Sequence, residues 1–165
     1  MNREMIVLQE DIKDRASYGF MAFPTPSQYV KKAKYILEIK NDALDLGEFM
    51  IQASHITQIK LSMCTRVVSG AGFGGGLRTT VHFDMDIETN DGNLYLFEVV
   101  RPDSFDLIFN WVHHHHITLI DPIGIEKIYQ QIEGVGARNK YLSGNFGKFK
   151  RKYKLDHPRM TKKEG

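Results

Sequence analysis

The stretch LRTTVHFDMDIETNDGNLYLFEVV, Leu77 to Val100, decides how the chain is read. From Val81 it alternates with period two. Val81, Phe83, Met85 and Ile87 fall on one side, and His82, Asp84, Asp86 and Glu88 on the other. Alternation of this kind marks a strand with one face in a core and one in water. Asn90-Asp91-Gly92 then supplies the positive φ that a tight hairpin needs. Residues 93–100 return as a second strand, rather apolar on both faces. The stretch therefore predicts an antiparallel hairpin.

Downstream, RPDSFDLIFNWVHHHH (Arg101 to His116) changes to a period near 3.6. Phe105, Ile108, Phe109 and Val112 form one helical stripe, and Asp103 or Ser104 suits the N-cap. DPIGIEKIYQQI predicts a further helix, with Pro122 near its first turn. Upstream, YILEIK (Tyr35 to Lys40) and ITQIKLSMCTRVV (Ile56 to Val68) alternate as strands. Between them, LDLGEFMI reads as one strand with a bulge at Gly47-Glu48. Residues 2–16 read as a short amphipathic helix through Met5, Leu8 and Ile12, and FPTPSQ (Phe23 to Gln28) as a connection. The compact domain starts near Tyr29. About five strands are plain, so others must lie in residues 17–35 or in long strands that split.

Strands in meander followed by one helix with a good apolar stripe predict a strongly bent sheet covered by that helix. YILEIKNDALDLGEFMI, SHITQIKL, NDGNLYLFEV and a helix containing Trp111 resemble the bacterial branch of the pleckstrin-homology-like superfamily over roughly residues 35–116. The resemblance implies an α+β fold: a PH-like curved antiparallel β-barrel of seven strands, capped by a C-terminal helix. It implies no common enzyme activity, because members serve as binding or scaffolding modules for lipids, peptides or proteins. Lipid-binding members carry a basic cluster between their first two strands. Here that turn, KNDALD, holds Lys40 beside Asp42 and Asp45, so the resemblance does not extend to phosphoinositide-type binding. The expected division is an N-terminal extension at 1–29, the PH-like domain at 30–117, a helical extension at 118–137 and a basic, partly flexible tail at 138–165.

At 165 residues, 42% hydrophobic and 25% charged, the chain suits one globular domain with extensions. Cys64 is the one cysteine, which excludes an internal disulfide and a cysteine-rich zinc site. The first residues carry acids and no apolar run of signal-peptide length, and no stretch reaches the roughly 18 apolar residues of a membrane span. A cytoplasmic location is the expectation. Of the 22 basic and 20 acidic residues, ten and two lie from Arg138 onward, leaving twelve and eighteen before it. An acidic body carries a basic tail.

Four histidines, His113 to His116, close the first helix. At 100° per residue they point in different directions, and only His113 and His116 could share a face. Two ligands do not make a zinc site. The expectation is a helix terminus whose basic side chains complement the dipole, with no metal and no cofactor. GAGFGGG (Gly70 to Gly76) contains Gly70-x-Gly72-x-x-Gly75, yet a strand pattern follows where a dinucleotide site needs a helix N-terminus. It reads as a hairpin tip, with Phe73 as a contact residue on a loop. Asp84, Asp86 and Glu88 read as a solvated sheet face, and Cys64 as a structural thiol. The tail interleaves Tyr141, Phe146, Phe149 and Tyr153 with Lys140, Lys148, Lys150, Arg151, Lys152 and Lys154. Bases attract polyanions, and rings stack on nucleobases or enter a lipid interface.

The first expectation is a non-catalytic binding or interaction module with a protein or peptide partner. The alternative is a nucleic-acid or anionic-membrane binder acting through Lys148, Phe149, Lys150, Arg151, Lys152 and Tyr153. A metal-dependent enzyme built from the histidines and outer acids ranks below both.

Overall fold

The computed structural model describes residues 4–9, 35–47, 49–69, 77–99 and 105–155. Eight strands are β1 (Glu4–Gln9), β2 (Tyr35–Ile39), β3 (Ala43–Asp45), β4 (Met50–Gln52), β5 (Ile56–Ser69), β6 (Leu77–Thr89), β7 (Leu94–Val99) and β8 (Thr118–Ile120). Among the described residues three α-helices follow the meander: α1 (Phe105–His114), α2 (Ile125–Gln131) and α3 (Val135–Tyr153). The fold is α+β. The strands hydrogen-bond in the order β4-β3-β2-β1-β7-β6-β5-β8. All neighbours are antiparallel except β8, which lies parallel to β5 from Gln58↔Thr118 to Lys60↔Ile120. β4 and β8 end the order and do not pair with each other, so the described residues form no closed barrel.

The hairpin read from Leu77 to Val100 is present. β6 and β7 pair from Phe83↔Val99 to Glu88↔Leu94. Asn90, Asp91 and Gly92 form the loop, with Gly92 at φ +84° and the Thr89 amide donating to the Asn93 carbonyl at 3.0 Å. The Thr89 hydroxyl donates to the Asp91 carboxylate, and that bond, with the Asn93 amide, holds the carboxyl of Asp91 below its usual range.

Two readings need correction. LDLGEFMI is not one bulged strand. Gly47 adopts φ +80° and its amide donates to Asp45 Oδ1 at 2.9 Å, which turns β3 back onto β4 with Asp45↔Met50 in register. The parity break at Gly47 was a reversal, because only a left-handed residue closes so short a loop. Residues 4–9 are not helical either. β1 pairs with β2 and with β7, in the middle of the sheet. The apolar run Met5 to Leu8 fits a short strand as well as a helical turn, and pairing on both sides settles it. β1 therefore shares a sheet with the domain expected to begin at residue 30.

The core lies where the alternation places it. Ile59, Leu61, Met63, Val81, Phe83, Met85, Ile87, Phe97 and Val99 are buried. α1 covers them. Phe105, Ile108 and Val112 have no exposure, and the Phe105 ring meets Phe83 edge-on at 5.0 Å. Phe109 and Tyr129 of α2 complete an aromatic cluster around Phe83 and Phe105. At its far end α1 is fixed to the β2–β3 turn, where Trp111 Nε1 donates to the carbonyls of Lys40 (2.9 Å) and Asn41 (3.1 Å). The helix thus ties β2 to β6 across the intervening strands.

The histidine run is the helix end, in a form that spacing did not reveal. α1 stops at His114, so His116 is not on its apolar stripe. His116 takes φ +54°, its amide donates to the His113 carbonyl (3.1 Å), and the Ile117 amide donates to the Val112 carbonyl (3.0 Å). This is a Schellman closure, with His116 where glycine usually stands and Ile117 and Val112 buried together. An exposed L-residue in the left-handed region is strained. His116→Gly is expected to stabilise the fold by about 0.5–1 kcal/mol, read as a higher urea midpoint at unchanged slope. A lower midpoint would refute this account of the turn.

Candidate functional site

The segment expected to be a basic, partly flexible tail holds most of α3, a 19-residue helix, and the boundary drawn at 137 and 138 falls inside it. Its sequence explains the fold. Leu142, Phe146, Phe149 and Tyr153 are spaced four, three and four apart, one line on a helix. Leu142 is fully buried, and the three rings pack half-buried against the core. α3 packs against β6.

Both ends are fastened. At the start, the Arg138 guanidinium donates to the carbonyls of Ile132 (2.7 Å) and Tyr129 (3.0 Å), lies 4.4 Å over the Tyr129 ring and sits 3.6 Å from Asp106 Oδ1. At the finish, Lys154 takes φ +52° and the Leu155 amide donates to the Lys150 carbonyl at 3.1 Å, which turns Leu155 into the core.

Its six basic residues are Arg138, Lys140, Lys148, Lys150, Arg151 and Lys152, and it contains no acid. Arg138 is spent on structure. Lys140, Lys148, Arg151 and Lys152 are exposed and have no carboxylate partner among the described residues. Lys152 Nζ lies 5.0 Å from the Tyr153 ring and Arg151 Nε donates to the Gly147 carbonyl at 3.3 Å, contacts that leave the charges in solvent. Lys150 is half-buried. Phe149 and Tyr153, expected to meet a ligand, are half-buried on the stripe that packs against the core. Tyr141, 41% exposed, is the open ring on this helix.

α3 also corrects the reading of the outer acids. His82 and Asp84 are buried, Asp86 is half-buried and Glu88 is exposed. The row is solvated only toward the hairpin tip, because α3 packs on β6. Asp84 and Asp86 share a groove of about 330 Å³ with Lys60, Ser62, Tyr153 and Lys154. Cys64 is buried opposite His82 in the β5–β6 register.

No family model, curated protein or solved structure matches this chain. The site must be read from its own chemistry.

His113 engages Glu126 of α2, and His115 engages the Asn41 carbonyl and packs on Trp111 at 4.8 Å. His116 lies past the helix end. No group of three or more His, Cys, Asp or Glu is placed to hold a metal ion among the described residues. At the β2–β3 turn, Lys40 is held by Glu38 (3.0 Å) and Asp45 (3.5 Å), which raise its pKa above the ordinary lysine value. That lysine is already paired. No helix among the described residues is long and apolar enough to cross a membrane. Phe73, between β5 and β6, and Asp103 and Ser104, before α1, lie outside the described residues.

Proposed function

We propose that the protein is a binding module that takes a polyanionic partner on the outer face of α3. One observation carries this reading: a helix fastened at both ends turns Lys140, Lys148, Arg151 and Lys152 into solvent and has no acid of its own. Fixed positive charge on a rigid element binds a polyanion by releasing its condensed counterions, and little ordering entropy opposes it. The acidic body repels the same partner at longer range. Affinity therefore falls in the non-specific range, Kd about 10⁻⁴ to 10⁻⁶ M at physiological salt.

The seven antiparallel strands β1 to β7, followed by a helix whose apolar face packs on them, support a PH-like frame for this surface. A second reading, a protein or peptide partner, is favoured by the edge strand β4. Its outer edge is unpaired among the described residues, and its Met50 is exposed beside a groove lined by Lys40, Asn41, Asp42 and Asp45. An added strand would use that edge.

Heparin serves as a generic polyanion for the test. The full chain is expected to be retained on immobilised heparin at low salt. The variant with Lys140, Lys148, Arg151 and Lys152 all changed to Gln should elute at clearly lower salt, with its melting temperature unchanged. Equal elution of the two proteins would sink the proposal, since all four side chains are exposed and the fold does not depend on them.

A further inference from the structure

We infer that the polyanion is a nucleic-acid duplex, gripped through its phosphate backbone without reading of sequence; this rests on the polyanion reading above. Three features of α3 select the duplex.

The first is where the rings point. Binding of a single strand combines charge with aromatic platforms on which bases stack. Phe146, Phe149 and Tyr153 are the rings that would serve, and they pack against the core. Tyr141 is open, but the rings it reaches, Phe149 at 6.3 Å and beyond it Tyr153, are half-buried, so successive bases meet no row of open platforms. Without stacking, a partner is ranked by its charge density. Duplex DNA presents a charge about every 1.7 Å of axis and returns about 0.9 of a counterion per phosphate contacted, against about 0.7 for a single strand.

The second is what the outer face lacks. Lys140, Gly144, Gly147 and Arg151 repeat the spacing of the core stripe two positions earlier, so they lie about 200° around the helix from it. No large apolar side chain stands in that row. A helix that enters a lipid interface needs apolar residues facing the membrane. Here Leu142, Phe146, Phe149 and Tyr153 face the protein's own core, and the exposed Val135 and Tyr141 lie off the row.

The third is the shape of the row. Two bases about 16 Å apart along the axis flank two glycines. A side chain at Gly144 or Gly147 would meet nothing within 4 Å. Packing inside the chain therefore does not call for them, and each is a poorer helix former than alanine. Bare backbone between two cationic ends is a saddle, and it admits a ridge such as a sugar-phosphate backbone closer than any other residue would. Lys148 and Lys152 flank the saddle on one side.

The test uses the full chain with fluorescein-labelled probes of one length: duplex DNA, duplex RNA and single-stranded DNA. Vesicles of phosphatidylcholine and phosphatidylserine form the fourth arm. Anisotropy or flotation is read across about 50–200 mM salt, the range in which phosphate contacts dominate the affinity. Both duplexes, or one of them, should bind more tightly than the single strand and the vesicles, and comparison of the two duplex arms tells which backbone geometry suits the saddle. Three to four contacts give a salt slope of about −2.7 to −3.6 on duplex DNA. Lys140→Gln and Arg151→Gln should each reduce that slope by about 0.9, while Lys127→Gln on α2 should not. Gly144→Leu with Gly147→Leu improves helix propensity, so the fold is kept, and filling the saddle should weaken duplex binding roughly tenfold. A single strand bound as tightly as the duplex, vesicles that outcompete it, or a filled saddle without effect would overturn the duplex inference while heparin retention still stood. Loss of heparin retention itself would instead remove the parent reading.

Discussion

Phe105→Ala is expected to destabilise the protein by about 3–5 kcal/mol, the cost of emptying a fully packed aromatic site. Phe105 has no exposure. Its ring makes edge contacts with Phe83 at 5.0 Å and Phe109 at 5.4 Å and lies 6.4 Å from Tyr129. Each such pair adds about 0.5–1.5 kcal/mol beyond area burial. The four rings come from β6, α1 and α2, so the cavity would open where three elements meet and could not easily collapse. Against a total of about 5–15 kcal/mol for a domain, the loss is a large fraction. Urea unfolding of the variant should show a much lower midpoint. Phe105→Leu, which keeps most of the volume, should lose clearly less. A loss below about 1 kcal/mol for the alanine variant would mean that α1 does not seal the sheet.

Parts of this architecture were legible because one signal dominated. Along Val81 to Ile87 the side-chain period is two and every inward residue is large and apolar, so a register slip would expose the whole row. Phe105 to Val112 was equally plain at period 3.6. Elsewhere two signals competed. Met5 to Leu8 is apolar without a break, which does not tell strand from helix, and only the partners on both sides decide. At Gly47 a bulge and a reversal leave the same mark on parity. In α3 the dense positive charge suggests a solvated tail and masks the apolar line beneath it. The line Leu142, Phe146, Phe149, Tyr153 was present in the same residues and, taken with Leu155 past the end, would have identified a docked helix. The burial of His82 and Asp84 follows from that helix and could not be foreseen without it. His116 at the left-handed closing position carried no local signal, since glycine is the residue that normally announces it.

The role of Arg138 was the least visible, because it depends wholly on neighbours brought in by the fold. In sequence it opens the basic tail and counts as one more charge. In the structure its side chain is 14% exposed and makes four contacts of different kinds. It donates to the Ile132 and Tyr129 carbonyls, which are freed at the end of α2. It lies over the Tyr129 ring and faces Asp106 in the first turn of α1. Three helices therefore meet at one guanidinium. Arg138→Ala is expected to cost about 2–4 kcal/mol, chiefly through the carbonyls left without a donor, since each hydrogen bond to a charged group contributes about 1.5–3 kcal/mol. The Asp106 pair adds little, because that carboxylate is half in water. Arg138→Lys should recover only part of the loss, because an ammonium lacks the planar fork that reaches two carbonyls while stacking on the ring. The effect should also be local. Hydrogen exchange of the amides in α2 and the first turns of α3 should rise well before those of β6, because the clamp joins α2 to α3 while the sheet has its own core. If Arg138→Ala leaves both the unfolding midpoint and the exchange of α3 unchanged, the start of the helix is not held by this residue. The placement of Lys140, on which the proposed duplex contact rests, would then need another cause.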